Sequence, residues 1–126
     1  MKTRLSLSAG LLFFIAAPAL ADADWVWVSE SKHQKDETYV DRSSIRVTGT
    51  IRRYWQRRDY MNSVSGWKKT MALYENNCAT GQKRLLQVTG YKADGVSETE
   101  TGNLSLWEYI TPDTVEQNVH DYVCKQ

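Results

Sequence analysis

Ile51-Arg52-Arg53-Tyr54-Trp55-Gln56-Arg57-Arg58-Asp59-Tyr60 is the longest stretch of this chain that reads as one β-strand. Read with a period of two, it puts Ile51, Arg53, Trp55 and Arg57 on one face. Arg52, Tyr54, Gln56, Arg58 and Tyr60 fall on the other. Neither set is purely apolar, so the strand should be partly solvated on both sides. A core can cover only one face, and a desolvated arginine pair is costly unless it is matched. Trp55 is the larger core residue, so the expectation is that it points inward and that the Tyr54 side is open.

Working outward, Trp25-Val26-Trp27-Val28 and Thr38-Tyr39-Val40-Asp41 are shorter runs of β-formers. The second is closed by the polar cluster Asp41-Arg42-Ser43-Ser44, and Ile45-Arg46-Val47 follows before a turn at Thr48-Gly49. Downstream, residues 61–66 read as a polar loop, and residues 67–75 alternate Trp67, Met71 and Leu73 against Thr70, Ala72 and Tyr74. Residues 83–91 form another strand candidate, and Asp94-Gly95 is the clearest hairpin signal. The polar run 96–101, a turn at Thr101-Gly102-Asn103 and a strand over 104–110 complete the β pattern. The period then changes. Thr111 is placed as N-cap, Pro112 in the first helical turn and Asp113 near the positive end of the dipole. Val115, Val119, Tyr122 and Val123 make one apolar stripe. Cys124 lies about 100° round from Val123, where the helix should fray or end. The pattern is α+β: one antiparallel sheet with a C-terminal helix.

The chain has 126 residues, room for one domain. Residues 1–21 have the layout of a secretory signal peptide: Lys2 and Arg4, an apolar run over 11–17, then Ala19-Leu20-Ala21. The apolar run is too short for a membrane span. Asp22 stands where a bacterial lipoprotein would carry its lipid-modified cysteine, so the product should be exported and soluble, in the periplasm, secreted or at the surface. Residues 22–126 carry a net charge of −1 with histidines neutral, which selects no class of partner. Phe13 and Phe14 lie in the leader, so every later aromatic is Trp or Tyr, and 38 of the 105 residues after the leader are apolar. A shallow-cored sheet suits that mixture better than a helical bundle.

Cys78 and Cys124 are the two cysteines, and export makes a disulfide between them the leading reading. The alternative is zinc: His120 and Cys124 are four apart on one helix face, and Cys78 and His33 would complete four ligands. Other chemistry is scarce. The sequence has no G-x-S-x-G, H-E-x-x-H, P-loop or dinucleotide fingerprint, and it implies no cofactor. The conspicuous cluster is basic and aromatic: Arg52, Arg53, Arg57, Arg58, Lys68 and Lys69, interleaved with Tyr54, Trp55, Tyr60 and Trp67. Residues 94–121 carry acids and no Lys or Arg. The candidate ligand-binding set is therefore Arg52, Arg53, Tyr54, Arg57, Arg58, Tyr60, Lys68 and Lys69, facing an acidic protein segment or glycan. Nucleic acid is disfavoured by export. The bland alternative is that these arginines lie over aromatic faces and pair with the acidic strands.

The order of features resembles the surface-adhesin protein E family of small exported bacterial domains. The residues that carry the resemblance are Trp25, Tyr39-Val40-Asp41 with Ser44-Ile45, and Trp55. Glu75 with Cys78, Arg84, Tyr91, Trp107 before Pro112, and Val123-Cys124 complete it. It spans nearly all of residues 22–126 and implies a sheet of about six strands with its C-terminal helix tied down by a disulfide, here Cys78 to Cys124. It also implies non-catalytic adhesion to host matrix or serum proteins. Two other readings stay open: a periplasmic accessory or inhibitor protein acting through the 61–66 loop, and an unrecognised enzyme. The oligomeric state is not legible.

Overall fold

The 51–60 strand forms as expected and organises everything around it. In the computed structural model, which describes residues 22–61, 66–101 and 106–126, β1 is Trp25–Glu30, β2 Glu37–Asp41, β3 Arg46–Thr48 and β4 Ile51–Asp59. Then come β5 (Trp67–Asn77), β6 (Gln82–Lys92), β7 (Ser97–Thr101), β8 (Glu108–Tyr109) and helix α1 (Val115–Cys124). Every strand pair is antiparallel, in the order β1-β2-β4-β5-β6-β7, with β3 also on β4 and β8 on β6.

β2 and β3 share the same edge of β4, one beside its end, the other beside its start. A single 3-10 turn, Arg42–Ser44, separates them. Asp41 holds that turn by accepting from the Ser43 N–H and hydroxyl and from the Asp24 N–H. The Ser44 hydroxyl donates to the Asp41 carbonyl at 2.6 Å and accepts from the Trp55 N–H at 2.9 Å. It thereby satisfies the β4 amide that neither neighbour reaches. At the Asp94-Gly95 hairpin, Gly95 takes φ +86° and its N–H donates to the Lys92 carbonyl. Gly90 is required by a close approach: a Cβ there would stand 2.7 Å from the Trp67 ring.

Helix α1 lies against β1 and β4. Val119 and Val123 are buried with Val40 and Tyr54, and Val28, Ile45, Tyr74, Val115, Tyr122 and Cys124 pack around them. The Cys78–Cys124 disulfide joins the helix end to the sheet with a Cα–Cα distance of 5.7 Å. The four-residue apolar stripe docks as expected.

Several expectations are corrected. The N-cap is Thr114, not Thr111: its side chain accepts from the Gln117 N–H, and Asp113 takes φ +60°. Pro112 therefore precedes the helix in the turn. The strand expected over 104–110 shrinks to β8, with residues 104 and 105 outside the described part; Leu106 is exposed and Trp107 lies before the strand. Residues 62–65 of the expected loop, residues 102–103 of the expected turn and the leader at 1–21 also lie outside the described residues.

Candidate binding face

The covered face of β4 carries Arg52, Tyr54, Gln56 and Arg58, because Tyr54 is the residue under the helix, only 1% exposed. This reverses the expectation that Tyr54 faces solvent and Trp55 the core. The physical reason is polar. The Tyr54 hydroxyl donates to Asn76 Oδ1 at 2.8 Å, and the Asn76 amide stands 3.0 Å from His120 Nδ1 on the helix. Buried tyrosine thus has its partner. Burial also pushes the Tyr54 phenol well above its ordinary range, so it stays protonated and able to donate.

Arg58 belongs to that covered face as well. It donates to Thr38 Oγ1 at 3.3 Å and to Glu116 Oε1 at 3.2 Å, and Lys83 Nζ stands 4.0 Å from the same carboxylate oxygen. Burial opposes ionisation of Glu116, but its own backbone N–H, Lys83 and Arg58 outweigh that and hold its carboxyl below the ordinary range. Burial lowers the Lys83 ammonium, with Glu116 acting the other way. Arg52 donates to the Gly49 and Ile51 carbonyls and leaves its Nε buried without a hydrogen-bond partner. Tyr60 pairs with Thr70 through their hydroxyls, and Lys68 is exposed. Arg52, Tyr54 and Arg58 are therefore structural in large part.

Among the described residues no helix covers the other face. β4 presents Arg53, Trp55 and Arg57 there, opposite Glu75, Leu73 and Met71 of β5, and Lys69 continues the row. Arg57 lies between two rings, 4.2 Å from the centroid of Tyr39 and 5.1 Å from that of Trp25. Its Nε is 3.1 Å from Asp59 Oδ1, close enough for an ion pair but poorly aimed, because the same nitrogen has no hydrogen-bond partner. Lys69 stands over Tyr91 at 5.0 Å. A shallow cavity of about 290 Å³ opens among these residues, floored by Trp25, Trp55, Met71 and Tyr91 and edged by Asp41, Gln87 and Thr89. A second, of about 380 Å³, lies further along β4 between Arg46, Thr48, Ile51, Arg53 and Glu75. Glu75 takes Arg84 through two nitrogens at 2.7 and 2.9 Å and Arg53 through one at 3.4 Å, while Arg84 stacks on Trp107.

Of the candidate set, Arg53, Arg57 and Lys69 come together on the open face, and Trp55 joins them. Trp25, Tyr39, Arg46, Glu75, Arg84 and Tyr91 also belong there and were not in the set. Five of them face Arg53, Arg57 or Lys69 directly or through one intervening strand, and Trp25 reaches the row by stacking with Arg57. The zinc alternative fails because both sulfurs are in the disulfide and His33 is exposed in a turn. Among the described residues no group of three or more His, Cys, Asp or Glu is placed to hold a metal. His120 is buried, and burial lowers its pKa against the raising effect of Asp121.

No helix among the described residues is long and apolar enough to cross a membrane. No curated protein sequence matches the chain. Two solved structures share the fold. One is crystal form II of Haemophilus influenzae protein E, at TM-score 0.55 and 18% identity, covering 70% of this chain and 80% of that one. The other is protein E from non-typeable Haemophilus influenzae, at TM-score 0.54 and 16% identity, covering 83% of this chain and 79% of that one. The sequence model of surface-adhesin protein E matches residues 25–125, and the chain belongs to that family.

Proposed function

We propose that this protein is an exported, non-catalytic binding protein of the bacterial envelope whose open sheet face takes an acidic host matrix or serum protein. The observation that supports it most is the row of cations on aromatic rings along that face, Arg57 on Tyr39 and Trp25 and Lys69 on Tyr91, with Trp55 two positions before Arg57 on β4. Stacked guanidinium and ammonium groups are held in place before a partner arrives, so little side-chain freedom is lost on contact. Aromatic and arginine side chains are also the types that dominate binding energy at interfaces. Family membership points the same way.

The test is surface plasmon resonance against a panel of purified acidic matrix and serum glycoproteins. At least one should bind, and Trp55→Ala with Arg57→Glu should remove that binding while circular dichroism stays native. No binder in the panel, or binding untouched by the double substitution, would overturn the reading. A periplasmic accessory or inhibitor protein is the second reading, favoured by Asp22 in place of a lipid-anchored cysteine. Fractionation of the producing cell separates the two.

A further inference from the structure

Arg46 and Arg53 are direct cross-strand partners in the β3–β4 register, so their side chains leave the sheet side by side on the open face. Like charges in that position repel, and neither has a full complement of acceptors. Arg46 uses one nitrogen, Nη1, on the Ser43 and Ile45 carbonyls at 3.0 and 3.2 Å. Arg53 has a single long contact of 3.4 Å to Glu75 Oε2 and a side chain 53% exposed. Glu75 is already engaged, since Arg84 grips its other oxygen through two nitrogens. Two guanidinium groups, Arg53 and Arg84, thus share the one carboxylate, and Arg46 lines the same 380 Å³ cavity as Arg53 and Glu75. The Arg46 and Arg53 pair of planar forks suits a tetrahedral oxyanion better than a point charge.

Two positions further along β4, roughly 7 Å away, Trp55 contributes to the floor of the aromatic cavity. Its edges are polar, with Gln87, Thr89 and the Asp41 carboxylate, which is already engaged by Asp24 and Ser43, and they suit the hydroxyls of a ring lying on a flat indole. An oxyanion clamp beside an aromatic floor is complementary to a sugar that bears a sulfate. We propose that the open face binds a sulfated glycan chain laid along β4, with a sulfate held between Arg46 and Arg53 and the adjoining sugar ring on Trp55. This rests on the proposed use of the open face and names the ligand chemistry it would take.

Isothermal titration with heparin and with fully desulfated heparin, which keeps the carboxylates, tests the assignment. Heparin should bind and the desulfated chain should not. Arg46→Ala and Arg53→Ala should each weaken heparin binding about tenfold, and Arg46→Lys should restore it only in part. Lys32→Ala, removing the same charge from an exposed loop residue, should change little. Native circular dichroism of each variant keeps loss of fold apart from loss of site. Equal binding of both glycans, or an Arg46→Ala effect no larger than that of Lys32→Ala, would overturn the sulfate clamp. Failure of heparin to bind at all would do the same, while glycoprotein capture through Trp55 and Arg57 would still stand or fall separately.

Discussion

On the covered face of β4, Arg58 reaches Thr38 and Glu116, and its side chain is 25% exposed. On the open face next to it, Arg57 is 24% exposed, yet what surrounds it is the rings of Tyr39 and Trp25 and an ill-aimed carboxylate. The two arginines are sequence neighbours with the same burial, and only their partners differ. Arg58 is fixed by hydrogen bonds that link the sheet to the helix. Arg57 is fixed by stacking that leaves donor capacity unspent. The covered face therefore spends its polar groups on the fold, while the open face keeps some of its own available. Exposure alone does not separate Arg57 from Arg58; what each of them touches does.

That contrast depends on the helix, and its staple is the place to break it. Replacing both Cys78 and Cys124 with Ala removes a link spanning 46 positions of sequence, and the expected loss is about 4 kcal/mol in a urea unfolding curve. Hydrogen exchange should show α1 losing protection well before β4 and β5 do. Uniform loss across the sheet would mean that the helix and the covered face are one cooperative unit rather than a cap on a sheet.

The next effect sharpens the contrast within the helix itself. Val119→Asp places a charge at a site 1% exposed and should cost about 3 kcal/mol. Glu116→Ala, off the apolar stripe, should cost about 1 kcal/mol. Its carboxylate is partly buried and shared by Arg58 and Lys83, and solvent screening of side chains 23–34% exposed keeps the loss small. Equal losses from the two substitutions would mean that α1 is held by charge rather than by its valines.

The sequence made the strands legible and the faces illegible, for a local reason. Alternation over 51–60 fixes which residues share a side, since that follows from backbone geometry. It does not fix which side meets the helix, because both sides carry two arginines and at least one aromatic. The choice was made by Asn76, a residue no periodicity marks, which satisfies Tyr54 and His120 together. Trp55 offered more area but had no such partner beneath it. A stronger helix-start signal stands three residues past Thr111: Thr114-Val-Glu-Gln117 has the Thr-x-x-Gln capping pattern. His120 was likewise recoverable. It lies four residues before Cys124, so a sulfur drawn to the sheet brings His120 with it, and the ring sits 3.6 Å from that sulfur.

The smallest expected effect concerns that buried chain and reads out in pH. The Tyr54 hydroxyl donates to Asn76 Oδ1, which leaves the Asn76 amide N–H₂ facing His120 Nδ1. His120 must then accept at Nδ1 and carry its proton on Nε2, the neutral form. Burial agrees, since it lowers the His120 pKa below its ordinary 6.5 despite the opposing pull of Asp121. The unfolded chain takes up a proton near 6.5 and the folded chain does so only at lower pH. Stability from this group is therefore complete above 6.5 and declines as pH falls toward the folded value. Glu116 has its own, more acidic window: its folded pKa lies below 4.5, and its contribution is lost only as pH falls through that lowered value. Urea midpoints measured between about pH 7 and about pH 5 should fall for the wild-type protein and stay nearly level for His120→Asn, whose side-chain oxygen can replace Nδ1 as acceptor. Parallel pH profiles would mean that the chain from Tyr54 to His120 does not discriminate between the two protonation states of the imidazole.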